Sequence, residues 1–163
     1  MTDFIKENIY ETIEIVKCRI QELNLEESNL FRKKFQEKFT EGHGYFPVWE
    51  NIFPRYSVRQ QDAWEWLDEF IQRKETYILF DKCEQPNVFL FEENQSLVQF
   101  LAEFPDYICY FTNKNLDYVL CQNDSDYLIA SGTAIDWLRQ KVLILTSQGW
   151  QDLDKRSKPE EFE

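Results

Sequence analysis

The single histidine, His43, lies in Glu41-Gly42-His43-Gly44, a segment pliable enough for a general base, yet no partner stands at a fixed spacing from it. An exposed loop histidine is the simpler reading. Carboxylates are plentiful: Asp62, Glu65, Asp68 and Glu69 fall within what reads as one helix, Glu92 and Glu93 follow a strand-like run, and Asp124 and Asp126 share a polar turn. Such pairs serve glycoside hydrolysis and two-metal chemistry at suitable separations, which sequence spacing does not set. In a chain with 30 acidic residues they also arise on solvated faces. The cysteines, Cys18, Cys83, Cys109 and Cys121, show no CxxC spacing, and read as free thiols of a reducing compartment; no metal and no cofactor is expected. Neither a phosphate-cradling glycine loop nor a GxSxG elbow occurs. The expectation is a protein that is not an enzyme.

Trp64-Glu65-Trp66 is more informative. On a helix two such tryptophans point about 200° apart, so both cannot centre one buried stripe. An exposed tryptophan with acidic neighbours suits a basic partner. The expected partner-binding residues are Trp66, Glu65 and Glu69, with Asp124 and Asp126 at the strand turn. In the alternative, Trp64 lies in the core and Trp66 packs beneath the loop 47–54.

The elements that must position these groups follow from periodicity. Ile5, Ile9, Ile13, Val16, Ile20 and Leu23 step by threes and fours, predicting an amphipathic helix over residues 2–23. Phe31, Phe35 and Phe39 predict a second helix after Ser28, ended by Gly42 and Gly44. An irregular, packed loop follows over residues 41–55, and Ser57 with Gln60 has the capping-box pattern for a third helix reaching about Arg73. Beyond Glu75 the period shortens, and aromatic and β-branched runs at 77–80, 88–91, 107–111, 118–121 and 127–130 read as strands. Their connections at 83–87, 113–115 and 123–125 are too short for parallel crossovers. Asn94 can cap a short helix carrying Leu97, Phe100, Leu101 and Phe104, and Thr133 another carrying Ile135, Leu138 and Val142; residues 142–145 suit either helix or a sixth strand.

The resulting fold class is α+β: N-terminal helices, then a mainly antiparallel sheet of five or six strands in the order β-β-α-β-β-β-α, with helices on one face. At 163 residues, 43% hydrophobic and 17% aromatic, the chain suits one domain over residues 1–153, with a frayed, charged tail at 154–163. Eighteen basic residues against 30 acidic ones give a net charge of -12, which disfavours nucleic acid and anionic membrane surfaces. The charged N-terminus and the lack of a long apolar run point to the cytoplasm.

The second half, from Tyr77-Ile78-Leu79-Phe80-Asp81 through Tyr107-Ile108-Cys109-Tyr110-Phe111 and Asn115-Leu116-Asp117-Tyr118-Val119-Leu120-Cys121 to Ile129-Ala130-Ser131-Gly132, resembles a group of small uncharacterised bacterial proteins. There the polar turn is richer in histidine than Gln122-Asn123-Asp124-Ser125-Asp126. Size, acidity and element order are similar to immunity proteins of polymorphic toxin and contact-dependent inhibition systems, including SUKH-type ones. That resemblance implies a cytoplasmic inhibitor binding one cognate toxin domain, often a nuclease. The competing readings are a small carboxylate- or metal-dependent hydrolase and a homodimeric structural protein joined through exposed aromatics.

Overall fold

Alternation of side chains builds the sheet first. Tyr118 and Leu120 point to one face and Val119 and Cys121 to the other, and all four are buried, so the strand must be covered on both sides. The computed structural model describes residues 3–150 and 160–162. Five α-helices and eight strands follow the order α1 (Phe4–Val16), β1 (Ile20–Glu22), α2 (Leu25–Phe39), β2 (Arg55–Arg59), α3 (Leu67–Ile71), β3 (Thr76–Leu79), β4 (Phe89–Phe91), α4 (Leu97–Glu103), β5 (Tyr110–Thr112), β6 (Tyr118–Gln122), β7 (Tyr127–Gly132), α5 (Ala134–Ser147) and β8 (Glu160–Phe162). The fold is α+β. One antiparallel sheet runs β1-β4-β3-β5-β6-β7-β2-β8.

The larger core lies on the face covered by α1, α3, α4 and α5, where Ile9, Leu67, Phe100 and Leu138 meet Phe89, Phe111, Leu120 and Leu128. On the opposite face α2 brings Phe35 and Phe39, with Val48 and Ile52 of the following loop, onto Leu79, Tyr110, Val119 and Ile129. This second layer has a topological cause. β1 and β2 sit on opposite sides of five intervening strands, about 29 Å apart at ordinary strand spacing. The 15-residue α2 supplies about 22 Å of that crossing, and the loop 40–54 supplies the rest.

Several sequence expectations are corrected. The first helix stops at Val16, because Lys17 adopts a left-handed conformation (φ 56°) and donates its N–H to the Ile13 carbonyl. Ile20 therefore pairs with Phe91 as strand rather than extending the helical stripe. α2 begins at Leu25 and is capped by Asn24, whose side chain accepts from Glu27 N while the Glu27 carboxylate returns the bond. Ser28 is buried inside it, accepting from Val88 N at 2.9 Å. The expected capping box at Ser57 is instead β2: Tyr56 and Val58 point into the larger core, and Ser57 pairs with Ile129. Its helix is reduced to a 3-10 turn, Ala63–Trp66, and the five-residue α3, which ends at Gln72 (φ 56°). Ser96, not Asn94, caps α4; Asn94 takes a left-handed conformation, φ 69°. Residues 142–145 are helical within α5. Of the expected frayed tail, residues 154–159 lie outside the described residues, and the backbone of Glu160–Phe162 pairs with β2.

Buried polar groups fix the loops. Arg32 of α2 donates to the carbonyls of Phe80, Gln85 and Pro86. Asp81 accepts from Val48 N at 2.8 Å and from the Tyr110 hydroxyl, which itself accepts from Trp49 N. Burial pushes the Asp81 carboxyl above its ordinary value, against the opposing pull of those donors and of Arg32.

Candidate functional site

A cleft of about 460 Å³ opens at one end of the sheet, within the range of ligand-binding concavities. It has three walls. Gln61, Asp62 and Trp64 come from the turn between β2 and α3; Leu101, Phe104, Asp106 and Tyr107 from the end of α4 and the chain after it; Asn123, Asp124 and Asp126 from the β6–β7 turn. Ile108, Cys109, Phe111 and Gln122 also line it.

Each wall is fixed by its own local chemistry. At the end of β6, Gln122 accepts from Trp64 N at 2.8 Å and donates to the carbonyls of Gln60 and Gln61. The bound 3-10 turn thereby presents both Asp62 and Trp64 to the cleft. Asn123 closes an Asx turn, its side-chain oxygen accepting from Ser125 N and Tyr127 N at 3.0 Å, while Asp126 adopts φ 67°. Gln60 N donates to the Asp126 carbonyl, tying the first lip to the second. In the third wall Phe104 packs on Tyr107 with ring centroids 5.5 Å apart, and the Tyr107 hydroxyl accepts from Asn8 of α1. Burial pushes the Cys109 thiol up, and its Sγ donates to the Tyr107 carbonyl.

The cleft has aromatic walls and four aspartates, Asp62, Asp106, Asp124 and Asp126, and among the described residues no lysine or arginine lines it. Arg59, which donates to the Ser125 carbonyl and stands over the Tyr127 ring, is not among the lining residues. An arrangement of this kind favours a cation with an apolar body. Among the described residues it holds no nucleophile paired with a base: Cys109 is buried, with its thiol pushed up by burial, and His43 stacks on Tyr45 in the loop after α2.

The sequence-predicted residues divide between two places. Asp124 and Asp126 belong to the cleft. Trp66 faces α5, where the Lys141 ammonium lies 5.5 Å from its ring centroid and Trp150 meets it edge-on at 6.3 Å. Glu69 binds the same Lys141 at 2.7 Å, and Glu65 is exposed. The alternative placing of Trp66 beneath the loop 47–54 is replaced by this contact with Trp150. Asp68, read with these acids as one carboxylate face, has a separate role: it accepts from Leu97 N and Val98 N at the start of α4 and from the Ser96 hydroxyl.

Sequence reasoning missed Trp64, Asp62, Asp106 and Gln122 as cleft residues. The Asn-Asp-Ser-Asp turn was a usable signal for one lip. Nothing local signals Gln122, whose partners are about sixty positions away. Among the described residues no helix is long and apolar enough to cross a membrane, and no group of three or more His, Cys, Asp or Glu is placed to hold a metal ion. Comparison with protein-family models, curated proteins and solved structures found no match to this chain.

Proposed function

We propose that this protein acts by binding a basic protein partner in the cleft between the β2–α3 turn, the end of α4 and the β6–β7 turn. In its most specific form the proposal is an immunity-type inhibitor that acts in the cytoplasm and covers a cognate toxin domain. The observation that supports it is a concavity with aromatic walls and four carboxylates, lined by no cation among the described residues, in a chain of net charge -12. Aromatic anchors within a charged rim suit tight, selective contact, and the negative field accelerates encounter with a basic surface. Asp124 and Asp126 stay in the proposed contact surface, and Trp64 takes the anchoring place expected of Trp66, which together with Glu69 is engaged by Lys141.

The test compares two affinity columns loaded with extract of the native host, one bearing the wild-type chain and one bearing Asp62→Asn, Asp106→Asn, Asp124→Asn and Asp126→Asn together. One basic protein retained stoichiometrically by the first and lost from the second, whose toxicity the wild-type chain relieves on co-expression, is the expected result. Equal retention on both columns removes the cleft from the proposal, and a captured protein that is harmless to the host removes the inhibitor.

A further inference from the structure

The occupant of the cleft can be specified further, on the reading above that the cleft is the contact surface. We propose that it receives an arginine side chain presented by the partner. A guanidinium is planar and weakly hydrated on its faces, with donors around its edge; an ammonium is compact, strongly hydrated and needs donors satisfied in three directions. The cleft matches the first pattern. Trp64, Phe104 and Tyr107 supply aromatic surface for the faces, and the aspartates on all three walls supply acceptors for the edge. Gln122 is not available to a ligand as a donor, since its amide is committed to the carbonyls of Gln60 and Gln61. About 460 Å³ also exceeds what one side chain fills, so the arginine enters with part of the segment that carries it.

The lips are tied to each other within the chain itself, by Gln60 N to the Asp126 carbonyl and by the three bonds of Gln122. Little ordering is therefore left to be done on binding, and discrimination among cations rests on fit rather than on closure.

The probe is acetyl-Gly-Arg-Gly-amide, with lysine and citrulline counterparts and free agmatine, titrated into the full chain while the Trp64 indole signal is followed by NMR. The expected result is saturable binding of the arginine peptide, weaker binding of the lysine peptide and none of the citrulline peptide. Asp124→Asn with Asp126→Asn should weaken the arginine peptide about tenfold, the factor that loss of one charge-assisted hydrogen bond brings. Both substitutions are mild to the fold, because Asp124 is exposed and asparagine tolerates the left-handed backbone of position 126. Equal binding of lysine and arginine peptides overturns the guanidinium, and absence of saturation in the millimolar range overturns the site. Agmatine binding far more tightly than the peptide would assign the cleft to a small cation instead of a partner's side chain. If the peptide fails while a captured partner still loses affinity on the paired aspartate variant, the arginine falls and the docking surface stands. If the peptide binds and the captured partner is indifferent to that variant, the docking surface falls and the arginine site stands.

Discussion

Gln122 is the most economical place to perturb the cleft without touching a residue offered to a ligand. Gln122→Ala deletes three hydrogen bonds, from Trp64 N at 2.8 Å and to the carbonyls of Gln60 and Gln61 at 2.8 and 3.1 Å. At 0.5–1.5 kcal/mol each the net loss would be roughly 1.5–4.5 kcal/mol, and the partial exposure of the site places it near the lower end, about 2 kcal/mol. For a chain of this length that is a fall of about 4–8 °C in Tm. Gln122→Glu is the sharper variant. Its carboxylate keeps the bond from Trp64 N but turns negative charge onto two carbonyl oxygens that had received N–H groups. Folding then holds the introduced carboxyl above its unfolded value of about 4.3. Stability is full below that value, where the protonated acid still donates to one carbonyl, and is lost as pH rises through the folded value. Urea denaturation of both variants at pH 4 and pH 7, followed by tryptophan fluorescence, should show Gln122→Glu less stable than Gln122→Ala at pH 7 and recovering at pH 4. Two variants of equal stability at both pH values would refute the argument that Gln122 positions the Asp62–Trp64 lip.

Two further outcomes follow from the backbone and the buried polar groups. Gly132 has φ +65°, and an added Cβ would stand 2.2 Å from the Asp117 carbonyl oxygen; Gly132→Ala should cost more than about 3 kcal/mol, whereas Gly42→Ala, at φ +87° in open space, should cost about 1–2 kcal/mol, both read from urea midpoints. Because burial raises the Asp81 carboxyl, the unfolded chain loses that proton first, so wild-type stability relative to Asp81→Asn should fall as pH rises from about 3.9 upward; a rising difference in denaturation series across that range would contradict the buried-carboxyl assignment.

The parts of the fold legible in the sequence are those whose partners lie nearby. β3 with β4, and β5 with β6 and β7 in succession, are joined by short connections, so apolar runs and connection lengths suffice to give these pairs as antiparallel neighbours. β1 and β2 fail that condition. Ile20 pairs with Phe91 and Tyr56 with Ala130, each more than seventy positions away, and the local patterns around them imitate helix: an i, i+4 stripe running on to Ile20, and a serine three residues before a glutamine at Ser57. Tertiary pairing overrides both imitations. The same division holds for the cleft. Asp124 and Asp126 are visible because a polar turn between two strands announces itself, while helical geometry assigns Trp64 and Trp66 to a segment that folds as a 3-10 turn. That turn exists because Gln122 and Asp126 reach it from another part of the chain.

The polar groups that the fold buries are spent mostly on segments between the elements of secondary structure. Arg32 holds the backbone at Phe80, Gln85 and Pro86; Asp81 and Tyr110 hold Val48 and Trp49; Ser131 binds the Pro54 carbonyl; Gln85 binds the Asp3 carboxylate that caps α1. Burying such groups is costly unless each is hydrogen-bonded, so the cost is offset only when these connections adopt one geometry. Removing Arg32 or Asp81 alone would leave buried donors or acceptors unpaired, at a cost greater than the net contribution of the hydrogen bonds themselves. What the polar groups add is definition of the connections, including the loop after α2, where Tyr45 and Phe46 remain exposed. In the cleft the same device fixes two lips through Gln122 and Asn123. A surface ordered before its partner arrives loses little conformational entropy on binding, so its affinity reflects the match of shape and charge.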